Sequence, residues 1–228
     1  MTIHPSDIND PISAGAAQIL HGEATRSDIY QQLGKRAFDV LFVLAISPML
    51  VSVTFLMALL VSLDGAVPFY GQYRVGRNGR TFRMWKLRTM IPNADQVLED
   101  HLASDPAARA EWEKTQKLKR DPRITWIGRF LRKTSLDEVP QFFNVLAGDM
   151  SVVGPRPMMV CQRELYPGLS YFRLRPGITG YWQISDRNTC SFSNRACFDD
   201  RYAQEASFET DLRVVTRTIS VVLRGTGS

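Results

Sequence analysis

KRAFDVLFVLAISPMLVSVTFLMALLVSLD, residues 35–64, contains 24 consecutive residues without a charge, from Val40 to Leu63. A straight helix of that length reaches roughly 36 Å, enough to cross the hydrocarbon core of a bilayer. A domain of this size rarely buries such a helix on every side, so the run is expected to enter a membrane. Crossing it is a separate matter. Pro48 cannot donate to the carbonyl of Leu44, and lipid tolerates such a break where another group, here the Ser47 hydroxyl, satisfies the freed oxygen. Lys35 and Arg36 precede the run, while Arg74, Arg77, Arg80, Arg83, Lys86 and Arg88 follow it. The positive-inside rule needs one flank poor in Lys and Arg, and neither is. Two topologies stay open: a Pro-kinked helix that spans, and a helix that turns at Ser47-Pro48 and returns to the face it entered. In the second, each half measures about 18 Å and reaches only midway.

On the N-terminal side, residues 1–34 carry Pro5, Pro11 and Gly15 among scattered polar groups with no clear period. They are expected to form a mobile tail and not a signal peptide, since no basic stretch precedes a short apolar one. On the C-terminal side, residues 67–228 form one domain, with residues 35–66 as its membrane element. The 228 residues are 44% hydrophobic with a formal charge of +5, which argues against wholesale disorder and for an anionic partner. Cys161, Cys190 and Cys197 make no CxxC pair and leave an odd count, so reduced thiols in a cytosol-facing domain are expected. His4, His21 and His101 are scattered, which disfavours a histidine triad or a zinc hydrolase.

Asn78-Gly79 between apolar runs predicts a β-hairpin with strands near 68–75 and 80–87. Its arginines suit a solvated edge, phosphates or lipid headgroups equally. Residues 93–119 read as helical with charged solvent faces, and Pro106 opens a second helix. Trp126, Ile127, Phe130 and Leu131 recur at helical spacing opposite Arg129, Arg132 and Lys133. That pattern fits either a helix lying in a membrane interface or ordinary core packing.

The segment SLDEVPQ, residues 135–141, places two carboxylates side by side. Ser135 with Glu138 fits a capping box, and the pair equally fits a nucleophile with a metal ligand. Pro140 puts the start of a helix at Asp137 or Glu138, ending near Gly148, where free N–H groups would attract phosphate oxygens. After a strand-like run from Met150 to Val153, the flanking prolines of Gly154-Pro155-Arg156-Pro157 aim Arg156 in few directions, which suits bidentate phosphate binding. RPGITG, residues 175–180, offers Gly177 and Gly180 for close backbone approach and matches no Walker or dinucleotide fingerprint.

Taken in order, KRAFD (35–39), SP (47–48), FRMWKLRTM (82–90), DPRIT (121–125), LRKTSLDEVPQFFNVLAGDMSVVGPRP (131–157), RPGITG (175–180) and FDDRY (198–202) resemble the monotopic polyprenyl-phosphate phosphoglycosyl transferases, also called bacterial sugar transferases. The segment WQISDRN (182–188) is most similar to the short exopolysaccharide-priming members that handle galactose or glucose phosphate. The resemblance implies an α+β monotopic membrane protein: a Pro-broken re-entrant helix, a small β-hairpin and a mainly helical cytosolic catalytic domain with interfacial amphipathic helices. It implies transfer of a sugar-1-phosphate from a UDP-sugar to undecaprenyl phosphate, with release of UMP, as the first membrane step of exopolysaccharide assembly. By the same resemblance Asp137 is the nucleophile that forms a phosphosugar-aspartyl enzyme, and Glu138 is the Mg²⁺ ligand. Lys86, Arg88 and Arg156 fall on substrate-phosphate positions, Arg175 and Asp199 on motif positions at the substrate site without an assigned role, and Ser47-Pro48 on the re-entrant break. Two residues depart from the family pattern: Asp186, where many relatives carry glycine, and Trp85, where the usual side chain is aliphatic or phenylalanine. The implied location is the bacterial inner membrane, with the catalytic domain on the cytoplasmic face.

The chemistry agrees with that reaction, because an aspartate can divide a displacement at phosphorus into two steps, and meeting a diphosphate requires cations. A helix inserted halfway would hold the site at the headgroup plane, which favours the re-entrant topology. A glycosyltransferase releasing UDP lacks a D-x-D motif here. A membrane scaffold would not need Asp137, and a nucleic-acid binder has no use for the apolar run. Galactose, then glucose, is the expected sugar by resemblance alone. A homodimer is compatible with the sequence, although no feature specifies it.

Overall fold

A computed structural model describes residues 30–185 and 192–223. Residues 1–29, where the mobile tail is expected, 186–191, which include Asp186 and Cys190, and 224–228 lie outside the described residues. Helix α1, Lys35–Val61, takes up the apolar run, and helical bonding continues through Pro48 as one element. The segment Lys35–Asp64 is the one helix among the described residues long and apolar enough to cross a membrane. Leu41, Leu44, Met49, Val51, Phe55, Leu56 and Leu59 are exposed along it. The Ser47 hydroxyl donates to the carbonyl of Leu44 at 2.8 Å, supplying the partner that Pro48 withholds.

Both ends of α1 are bound to the same globular body. At its start Lys35, Asp39 and Val43 are buried, and Arg36 donates to the carbonyls of Val145 and Leu146. At its end Val61 packs with Leu87, Ile127 and Leu131. Tyr30–Gly34 form a π-helical turn that belongs to the body, because Tyr30 donates to Asp211 at 2.8 Å and Gln31 to the carbonyl of Ala203 at 2.6 Å.

After α1 comes an antiparallel hairpin, β1 Phe69–Val75 and β2 Thr81–Leu87, in register from Phe69 opposite Leu87 to Val75 opposite Thr81. Asn78 and Gly79 turn it with φ of 58° and 73°, the left-handed conformations that this dipeptide accepts. Helices α2 Ala94–Ser104 and α3 Pro106–Thr115 follow, and the Asp105 carboxylate caps α3 by accepting from the amides of Ala107 and Ala108. Helix α4, Trp126–Thr134, buries Ile127 and Leu131 while Trp126 and Phe130 stay exposed, so its apolar residues divide between core and surface.

A short helix α5, Gln141–Ala147, leads into β3 Ser151–Val153, which pairs in parallel with β4 Gly177–Thr179. Helices α6 Ser170–Arg173, α7 Tyr181–Ile184, α8 Arg195–Glu205 and α9 Phe208–Leu223 complete the body. The main core gathers Val43, Phe82, Met84, Val145, Met150 and Val214 from five elements or connections around α5 and β3. The close approach expected of Gly177 and Gly180 is present. A Cβ on Gly177 would lie 2.1 Å from the amide of Gly154, and one on Gly180 2.1 Å from its carbonyl. Only glycine lets the 154–157 loop lie flush against residues 175–180.

Candidate active site

The carboxylate pair is held by a reversal of the chain. Helix α4 ends at Ser135 in the left-handed conformation, φ 57°, and Leu136–Glu138 form a single 3₁₀ turn before Pro140 opens α5. Two expectations are corrected here. Ser135 makes no capping bond with its side chain, because it serves as the left-handed C-terminal residue of α4. The dyad also precedes α5 and does not form its first turn, so positive potential at the carboxylates comes from neighbouring side chains and not from helix N–H groups.

Lys86 supplies that potential first. Its ammonium lies 2.7 Å from Glu138 Oε1 and 3.5 Å from Asp137 Oδ2. Asn144 fixes the strand that carries Lys86. Its amide group donates to the carbonyl of Arg83 at 2.8 Å and its oxygen accepts from the Trp85 amide at 3.0 Å, as a neighbouring strand would. Nothing in the sequence singled out Asn144; the signal was a polar residue on the core side of an otherwise apolar helix, QFFNVLA. Asp137 is 9% exposed, and burial raises its carboxyl above the usual range, with the Glu138 charge adding and Lys86 and Arg132 opposing. Arg132 is held by Nε donating to the Thr89 hydroxyl at 2.9 Å.

A bank of arginines extends from this point. Arg74 donates to the Gln72 side chain at 2.6 Å, while its Nε is buried without a partner. Burial and then the neighbouring Arg156 lower its affinity for its proton, and Glu138 counters them. The guanidiniums of Arg156 and Arg195 lie 5.3 and 4.3 Å from the Trp182 ring. Arg195 Nε and Trp182 Nε1 are also buried without partners. Clustered, half-buried cations with N–H groups left over suit a ligand rich in anionic oxygens. The sequence reading missed Arg195 and Trp182. Arg74 could have been found, because Tyr70, Gln72 and Arg74 alternate onto the strand face that pairs with Lys86.

The remaining site residues lie apart from this group. Arg88 spends its guanidinium on Asp64 at 2.6 and 2.8 Å and on the carbonyls of Val61, Val67 and Met90, tying the end of α1 to β2. Arg175 donates to the carbonyl of Gly148, beyond the far end of α5. Asp199 is buried and accepts from the Tyr166 hydroxyl behind Arg195; burial raises its pKa to about 7. Ser47 and Pro48 sit in mid-α1. Adjacent carboxylates are hard oxygen donors that suit Mg²⁺. No group of three or more metal-ligating side chains occurs among the described residues. An ion at Glu138 would therefore take its other ligands from substrate oxygens and water.

The sequence profile of a family described as bacterial sugar transferase matches residues 30–225. The chain is 46% identical over 202 residues to the exopolysaccharide production protein ExoY of Sinorhizobium fredii, covering 86% of this chain and 88% of that one. It is 47% identical over 196 residues to the UDP-galactose-lipid carrier transferase of Erwinia amylovora, covering 85% of this chain and 41% of that one. The undecaprenyl-phosphate galactose phosphotransferase of Salmonella typhimurium is 45% identical over 200 residues, with 85% and 41% covered. The chain thus spans about two fifths of the length of the Erwinia and Salmonella relatives.

Proposed function

The chain belongs to the bacterial sugar transferase family, and from that premise we propose that it moves a sugar-1-phosphate from a UDP-sugar to undecaprenyl phosphate and releases UMP. The observation that carries this reading is the half-enclosed Asp137-Glu138 pair under Lys86, at one end of a bank of arginines. An Asp137 oxygen attacks the β-phosphorus, the bond from that phosphorus to the bridging oxygen breaks, and UMP leaves with the electron pair. A phosphate oxygen of the polyprenyl acceptor then attacks the same phosphorus, which frees the Asp137 carboxylate and forms the diphosphate-linked lipid. Lys86 opposes the effect of burial on Asp137 and draws the incoming anion. Arg74, Arg156 and Arg195 hold the diphosphate oxygens so that the phosphorus faces the carboxylate. Mg²⁺ held by Glu138 would supply further positive charge against the diphosphate.

Three features support a re-entrant α1, which on this reading lies in the bacterial inner membrane with the body on the cytoplasmic face. Both ends of α1 grip one body, Ser47 satisfies the carbonyl freed at Pro48, and the middle of the helix exposes its apolar side chains. Trp126 and Phe130, exposed on α4 beside the end of α1, suit the headgroup boundary. Galactose is the sugar favoured by the names of the relatives, with glucose second.

Purified protein incubated with a panel of UDP-sugars and polyprenyl phosphate should release UMP, and mass spectrometry of the protein given donor alone should find a hexose-phosphate on Asp137. Release of UDP, or turnover only with both substrates bound together, overturns the mechanism. Single cysteines at positions 34 and 66 in a cysteine-free background should label from the same face, and labelling from opposite faces would establish a span.

A further inference from the structure

A second cationic cavity lies away from the dyad. Its volume is about 500 Å³, and Arg36, Arg77, Arg173 and Arg175 line it together with the buried Lys35. Its separation from the catalytic group follows from two elements. Arg36 and Arg175 grip the carbonyls of Val145, Leu146 and Gly148, at the end of α5 opposite the dyad. Arg77 sits in the turn of the hairpin, whereas Lys86 lies five residues up β2 from Thr81, roughly 17 Å away along the strand.

Those carbonyl bonds aim the guanidiniums of Arg36 and Arg175 without neutralising them. Lys35 does have acidic partners, Asp39 and Asp211, and contributes little free charge. None of the four arginines meets a carboxylate in an ion pair among the described residues. Burial, followed by the charges of Arg77 and Arg36, weakens the hold of Arg175 on its proton. Four like charges around one cavity repel one another, and an anion in the cavity would turn that cost into attraction.

We propose that this cavity is a second phosphate-binding site, separate from the catalytic centre, in which Arg36, Arg77, Arg173 and Arg175 take a phosphate group from an anionic lipid headgroup or from a free phosphate-bearing molecule. The shape of the ligand follows from the donors. Arg36 and Arg175 are fixed at the floor, while Arg77 and Arg173 are exposed and close over whatever enters. The floor lies at the first turn of α1, where the apolar run begins, so a headgroup could reach it from the lipid side. The site does not depend on Asp137 being the nucleophile.

The test uses the full chain carrying Arg156→Ala, which weakens the arginine bank at the catalytic centre so that the second cavity is read by itself. Detergent-purified protein is titrated calorimetrically with inorganic phosphate. In parallel, native mass spectrometry counts retained phosphatidylglycerol against phosphatidylcholine. One bound phosphate or one retained phosphatidylglycerol per chain is expected, weakened at least tenfold by adding Arg77→Ala and Arg173→Ala and partly restored by lysine at both positions. Retention of phosphatidylglycerol assigns the site to lipid; phosphate binding without lipid retention assigns it to a soluble ligand. Binding unchanged by the double substitution, or no binding of either probe, overturns the proposal. Both arginines are exposed, so melting curves of the variants should match the parent, and the Arg77→Ala single variant serves if the double one does not.

Discussion

Two lysines in this molecule each bridge two carboxylates, with opposite consequences. Lys35 lies 3.1 Å from Asp39 and 2.7 Å from Asp211, and both carboxylates are fully enclosed. Lys86 lies 3.5 Å from Asp137 and 2.7 Å from Glu138, whose side chains keep 12% and 29% of their exposure. In the first group donors engage both oxygens of Asp211 and Oδ1 of Asp39, while Asp39 Oδ2 is enclosed without a partner. Tyr30 and Tyr202 donate to Asp211, and the Ser151 hydroxyl and Val152 amide donate to Asp39. At the second, Asp137 receives only the long contact from Lys86 among the described hydrogen bonds. A carboxylate sealed from solvent and held by several protein donors locks the fold, and one left partly open beside a cation, with a single long contact, can attack an incoming phosphorus.

Substitutions can break this contrast. Asp137→Asn should cut UMP release more than about 10³-fold while the melting curve stays in place. Lys35→Met should act the other way. Two enclosed carboxylates lose their cation, stability in urea drops by about 3–5 kcal/mol, and the folded fraction keeps its turnover. Lys86→Met should lower kcat by roughly 10²–10³-fold. Burial already raises Asp137, and losing the ammonium raises it further, so the acid limb of the pH–rate profile should move to higher pH. An unmoved limb would mean that Lys86 serves only to bind substrate.

Asp199 sharpens the comparison with the smallest expected effect. Its folded value of about 7 lies above the ordinary unfolded value near 3.9. Between those two pH values the folded protein holds a proton that the unfolded chain has released. The stability it contributes is therefore complete below about pH 4 and lost as the pH rises to about 7. Asp199→Asn keeps an acceptor for the Tyr166 hydroxyl and should remove that slope, worth roughly 2–4 kcal/mol, in urea titrations from pH 4 to 8.

Several motif residues make contacts that hold the framework. KRAFD supplies the buried Lys35–Asp39 pair and the Arg36 grip on α5. In DPRIT, Asp121 pairs with Arg123 at 2.7 Å and Thr125 caps α4 through the amide of Gly128. Arg88, placed by pattern among phosphate ligands, clamps Asp64. A motif says that a residue type is needed at a position, and both a buried ion pair and a substrate contact satisfy that requirement.

The sequence by itself determined the apolar helix with its Ser47-Pro48 device, the hairpin, the adjacent carboxylates and the basic surplus, because each depends on local periodicity, turn chemistry or composition. Only the tertiary structure decided which charges meet. Lys35 and Asp211 stand 176 residues apart, Lys86 and Glu138 52. Arg74, Arg156 and Arg195 converge from a strand, a proline loop and a helix. Coulomb interaction and desolvation act through space and depend on burial. One residue type therefore becomes a lock, a clamp or a reactive group according to the donors that folding brings to it.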